Sequence, residues 1–178
     1  MKRLIAITLL AIVGYAALPY WSAYSLAQGL KVGDRAVLER QVDWDRVRAG
    51  LKDDISQVLV EGNQDNGARA FLAAALGPQL VDAALDSLVT PANVASLAQG
   101  AADRKAKREE TAAAKDVARD PVAHLTWAFF TSPSQFLVTL ETDKVKDGTA
   151  DLYFERQGLS WPLVRVKLPD SALSGLTS

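Results

Sequence analysis

The chain has 178 residues, a formal net charge of −1, no cysteine and one histidine. That near-neutral balance gives no long-range pull toward nucleic acid, and no nucleic-acid partner is expected. The missing thiols exclude a cysteine nucleophile, a disulfide framework and thiolate metal ligation, and a single histidine excludes a multi-histidine metal site. No cofactor is expected, and the length fits one domain with an appendage.

The appendage comes first. Lys2 and Arg3 precede an uncharged run from Leu4 to Trp21 that closes with Pro19, Tyr20 and Trp21. This is the charged-then-apolar order of an export signal. About 20 apolar residues span a bilayer, and the run approaches that length. Tyr20 and Trp21 stand where an interfacial aromatic belt belongs. Gly14-Tyr15-Ala16 is a small-x-small cleavage site with a short apolar core before it, and Ser25-Leu26-Ala27 lies far downstream. The expectation is an uncleaved signal anchor over 1–21. It would cross a bacterial inner membrane once through residues 4–21, with residues 22–169 in the periplasm. A soluble periplasmic chain after signal cleavage is the alternative.

Helical spacing continues from Tyr20 to Leu30. Gly33-Asp34 then reads as a stop followed by a new N-cap. Ala36, Val37 and Leu38 form a short helix, and Asp43 caps the next one. Val47, Leu51, Ile55, Val58 and Leu59 recur on one helical face. Arg48 and Lys52 share another side, which is either a solvated face or an anion-facing pair.

The order Tyr20…Tyr24…Leu26, Gly33-Asp34, Leu38 and Val42-Asp43-Trp44-Asp45-Arg46-Val47-Arg48-Ala49-Gly50-Leu51-Lys52 resembles a bacterial family catalogued as domain of unknown function 2939. Thr90-Pro91 and the Trp…Leu-Pro end resemble it as well. Trp161-Pro162 departs from the pattern, in which a basic residue commonly follows the tryptophan. The resemblance implies a membrane-tethered domain and carries over no catalytic residue. Asp43, Arg48 and Lys52 are the candidate family-motif surface.

Gly62 to Gly67 is a turn cluster, and Ala68 to Leu76 reads as an alanine-rich helix. Gly77-Pro78 breaks it. Leu80, Val81, Ala84, Leu85 and Leu88 mark another helix. Thr90-Pro91 opens a short one that is expected to end at Gly100. Residues 100–120 carry mixed charge and almost no large apolar side chain. They read as a charged linker, either a solvated helix or, by default, a flexible surface loop.

From 121 to 169 the pattern changes to period-2 alternation with a turn about every ten residues, the signature of an antiparallel meander covered on one face. Thr131 to Ser134, Asp147-Gly148 and Gln157-Gly158 mark its turns. Leu125, Trp127 and Phe129 are placed on one side of the first strand. Residues 170–178 form a tail. The fold class is α+β: an N-terminal apolar helix, a helical layer, then a C-terminal β-meander, in the order of cystatin-like or NTF2-like folds by analogy.

Trp127, Phe129, Phe136, Phe154 and Trp161 either line an apolar pocket or form plain core. His124 reads as a surface residue before a strand. No phosphate loop, nucleophile elbow or paired-histidine motif occurs, so no catalytic residue is assigned and no enzyme is expected. The first expectation is a non-catalytic module that docks on an envelope protein. The alternative is a module for a small ligand or lipid, with an apolar pocket between sheet and helices.

Overall fold

The computed structural model describes residues 1–62, 79–111, 125–142 and 148–168. Helix α1 (Lys2–Val32) runs unbroken for 31 residues, straight through the expected boundary at residue 21, with Pro19 inside it. It ends where the sequence predicts. Gly33 takes φ 67, and the N–H groups of Gly33 and Asp34 donate back to the carbonyls of Leu30 and Gly29. A left-handed residue closes the last turn in this way most cheaply when it is glycine.

Asp34 then caps α2 (Arg35–Gln41), its side chain accepting from the backbone N–H of Ala36 at 2.9 Å. Asp43 caps α3 (Trp44–Gly62) by accepting from Arg46 N–H at 3.3 Å. Residues 79–88 are helical (α4). Thr90 caps α5 (Pro91–Thr111) through the N–H of Asn93. Helix α5 corrects two expectations: it does not stop at Gly100, and residues 101–111 are helix rather than loop. One glycine costs a helix about 1 kcal/mol, too little to end an alanine-rich run that lacks proline. The predicted helix at 68–76, the rest of the linker, His124, Asp147 and the tail lie outside the described residues.

Strands β1 (Leu125–Ser132), β2 (Gln135–Thr142), β3 (Gly148–Glu155) and β4 (Leu163–Lys167) pair antiparallel in the order β1-β2-β3-β4. The fold is therefore α+β with a four-stranded meander, as the alternation predicts. Phe136 pairs with Phe154, Val138 with Leu152 and Leu140 with Ala150, which gives one continuous apolar face. Strand β1 departs from simple alternation. A register shift between Leu125 and Trp127 changes its phase, so Ala128 and Phe130 sit opposite Val138 and Phe136. Trp127 and Phe129 therefore turn to the other face, where they remain 56% and 55% exposed. A bulge of this kind inserts one extra residue, which alternation alone does not reveal.

The C-terminal part of α1 covers the apolar face, running along the strands. Tyr15 donates its hydroxyl to the carbonyl of Pro133 at 2.5 Å, in the β1–β2 turn. Further along, Tyr20 donates to the carbonyl of Ala128 at 3.2 Å, and its ring meets Phe136 edge-on at 4.6 Å. Pro19 and Leu26 are buried with Phe136, Phe154 and Trp161. Helix α3 lies along the opposite edge. Asp43 N–H donates to the Leu163 carbonyl at 2.9 Å, and Arg165 pairs with Asp54 at 2.7 Å.

Two glycines share φ 67 but not surroundings. A Cβ on Gly33 would strike the side chain of Gln99 and the carbonyl of Ala95, whereas nothing approaches Gly158. Chemical denaturation is expected to show Gly158→Ala costing about 1–2 kcal/mol, the price of a left-handed alanine, and Gly33→Ala costing clearly more.

Candidate functional site

An apolar groove of about 400 Å³ lies between α1 and the sheet. Its wall is built from Tyr20, Ala23, Tyr24, Ala27, Leu30 and Lys31, which recur at helical spacing on one side of α1. Its floor is Phe136, Val138 and Leu140 of β2 with Leu152 and Phe154 of β3. Leu125 and Ala128 close the β1 edge.

The hollow has a plain cause. Ala23 and Ala27 place methyl groups where a helix covering a sheet ordinarily places leucines. Volume that side chains do not fill is left to a ligand, and 300–1,000 Å³ is the usual size of a small-molecule site. Tyr20, Tyr24, Leu30 and Leu125 are all partly exposed, so the groove opens outward past α1 and the β1 edge.

Its chemistry is nearly all hydrocarbon. Polar groups on the lining side chains are the phenols of Tyr20 and Tyr24 and the ammonium of Lys31. The Tyr20 hydroxyl is already committed to Ala128. Among the described residues that line it, none is a carboxylate or an imidazole. Among the described residues no cluster of histidine, aspartate or glutamate suits a metal ion. Such a lining excludes water from an apolar body.

The structure distributes the aromatic candidates among three places. Phe136 and Phe154 form part of the groove floor. Trp161 is fully buried beyond one end of the groove, edge-on to Tyr15 at 5.9 Å and to Phe130 at 5.7 Å. Trp127 and Phe129 lie on the opposite sheet face with ring centroids 6.0 Å apart. The helical wall is not among the pocket residues the sequence suggests; the sequence places Tyr20 in the apolar run and the rest in a helix with no assigned role. The alternation of tyrosines with alanines along 20–27 is the signal that marks it.

The motif residues are not gathered into one surface. Asp43 caps α3 and also accepts from the side-chain amide of Gln157 at 3.2 Å. Arg48 pairs with Asp45 and Asp86 and donates to the Val89 carbonyl at 3.2 Å. Lys52 pairs with Asp82 at 2.7 Å. Arg48 and Lys52 thus fasten α3 to α4, and carboxylates already occupy the side that would meet an anion. The indole N–H of Trp44 donates to the Leu38 carbonyl at 3.2 Å, tying α3 to α2. Arg46 is held above the ordinary arginine range by its hydrogen bond to Glu155, with the fields of Glu155 and Asp43 adding to this against partial desolvation. It stays cationic and joins α3 to β3.

Fold and site together define an α+β protein with an open apolar groove. Its N-terminal helix is long and apolar enough to span a membrane or to act as a signal sequence. A family model described as "Protein of unknown function (DUF2939)" matches residues 8–97, half of the chain, and the protein belongs to that family. The match takes in the groove's helical wall and the α3 motif; Trp161 and the sheet lie beyond it. No curated protein and no solved structure matches the chain.

Groove and motif separate by mutation. Lys52→Ala is expected to cost under about 1 kcal/mol, as half-exposed ion pairs do, and to leave binding of an apolar fluorescent probe unchanged. Ala27→Leu fills the groove and is expected to abolish probe binding without lowering the melting temperature. Fluorescence titration and thermal melts on the full chain in detergent-free nanodiscs check both.

Proposed function

We propose that this protein is a membrane-tethered, non-catalytic module of the bacterial envelope that takes the acyl chain of a lipid into the groove between α1 and the sheet. One observation carries the reading: a cavity of about 400 Å³, walled almost wholly by hydrocarbon, whose helical wall continues directly into the apolar run 4–14. A lipid leaving the bilayer along α1 never has to expose its chain fully to water. Burial of apolar surface, worth about 25 cal/mol per Å², supplies the affinity.

Packing favours retention of the N-terminal run. Cleavage after Ser25-Leu26-Ala27 would remove Pro19 and Leu26 from the core together with much of the groove wall, and cleavage after Ala16 would remove Tyr15 from the β1–β2 turn. Lys2 and Arg3 before the run favour a cytoplasmic N-terminus, with the domain in the periplasm of the inner membrane. A second reading, docking of an envelope protein, draws on Trp127 and Phe129, an exposed aromatic pair on a strand that ends the sheet order. Such edges recruit partners.

A phospholipid bearing a photoactivatable group at its chain end tests the proposal in cell membranes. Labelling is expected on the peptides that carry Phe136 to Leu140 and Leu152 to Phe154, and Ala27→Trp is expected to remove it while labelling of residues 4–14 persists. Labelling confined to 4–14 would overturn the groove reading. Protein cross-links from β1 with an unlabelled groove would favour docking.

A further inference from the structure

We propose that the turn end of the sheet is a membrane-docking rim. Tyr15, Pro133 and the Arg156–Ser160 turn rest in the lipid headgroup layer, and the domain is seated on the bilayer instead of standing off on a tether. This rests on the membrane-tethered reading and concerns a different surface from the groove.

The argument begins with length. The apolar part of α1 that is free of the domain is bounded on one side by the charges of Lys2 and Arg3 and on the other by Tyr15, which is bonded to Pro133. Leu4 to Gly14 rises only about 16 Å at 1.5 Å per residue, against a hydrocarbon core of about 30 Å. Snorkelling of Lys2 and Arg3 recovers only part of the deficit. The remainder is met by local thinning of the bilayer, which draws Tyr15 down to the headgroup layer, and Tyr15 cannot arrive there alone because the sheet turn is bonded to it. Whatever flanks Tyr15 goes with it.

The flanking residues suit that place. The β1–β2 turn brings Pro133. The β3–β4 turn brings Leu159, which is 83% exposed, the residue after a glycine with open space around it. The two turns are joined by the N–H of Arg156 donating to the carbonyl of Ser134 at 2.9 Å. Residues 156–160 contain no acid, and their one charge, Arg156, stands over the Tyr15 ring at 5.8 Å, positioned for a lipid phosphate. The nearest carboxylates, Asp43 and Glu155, are held by Gln157 and Arg46. Trp21, 68% exposed, sits about 9 Å further along α1 at 1.5 Å per residue, toward the water side of Tyr15. The other end of α1 is of opposite character: Lys31, Asp34, Arg35 and Glu39 gather there.

The absence of native cysteine allows single spin labels in the full chain. Ile7→Cys, Leu159→Cys and Arg35→Cys are each labelled and reconstituted in vesicles of phosphatidylethanolamine and phosphatidylglycerol. All three positions are exposed, so folding is not at stake. Relaxation by oxygen, which partitions into lipid, is compared with relaxation by a water-soluble nickel chelate. The expected result is Ile7 in hydrocarbon, Arg35 in water, and Leu159 at headgroup depth with an oxygen-to-nickel ratio several-fold above that of Arg35. Ile7 in hydrocarbon with Leu159 indistinguishable from Arg35 would overturn the rim and leave the tether standing. Ile7 in water would overturn both.

Discussion

Helix α1 has to satisfy two surroundings with one apolar surface. From Tyr15 onward its side chains meet a β-sheet; before Gly14 the described ones are exposed. Neither half is separable from the other, because the backbone between them is continuous helix. The core depends on this helix more than on any other element. It buries Pro19, Ser22 and Leu26, the last in one core with Phe136 and Phe154, and its Gly33 cap sets the direction in which α2 leaves. Without it, Phe136, Val138 and Phe154 would face water.

The groove follows from the same arrangement. A helix that packed the sheet fully would carry large residues at 23 and 27, but alanine stands at both. Large residues return at Tyr20, Tyr24 and Leu30, which hold the helix off the sheet and rim the hollow. The α3 motif has a complementary role at the far edge. Val42 and Val47 are buried, Trp44 and Arg46 fasten the helix to its neighbours, and Arg48 and Lys52 clamp α4. A motif can therefore mark a family by what it holds together, with the apolar groove elsewhere.

What was legible in the sequence was local. Asp34, Asp43 and Thr90-Pro91 announce helix ends because their capping bonds span only two or three residues, and β2 and β3 alternate cleanly because each pairs along its whole length. Two misreadings share a non-local cause. Hydropathy from Leu4 to Trp21 is the same whether lipid or a sheet far along the chain is the neighbour, so the boundary set at Trp21 falls inside a continuous helix and Tyr20, the first residue of the groove wall, falls on the membrane side of it. The phase of β1 depends on a bulge against β2, which hid the outward turn of Trp127 and Phe129. Gly100 looks like a stop only if the alanines on both sides are ignored.

The account turns on α1 being kept whole, and the intact mass and N-terminal sequence of the protein recovered from cell membranes test that most directly. The predicted result is one membrane-bound species that still carries Leu4–Gly14 and Tyr15 in a single chain. A folded, soluble species whose N-terminus lies beyond Tyr15 would contradict it.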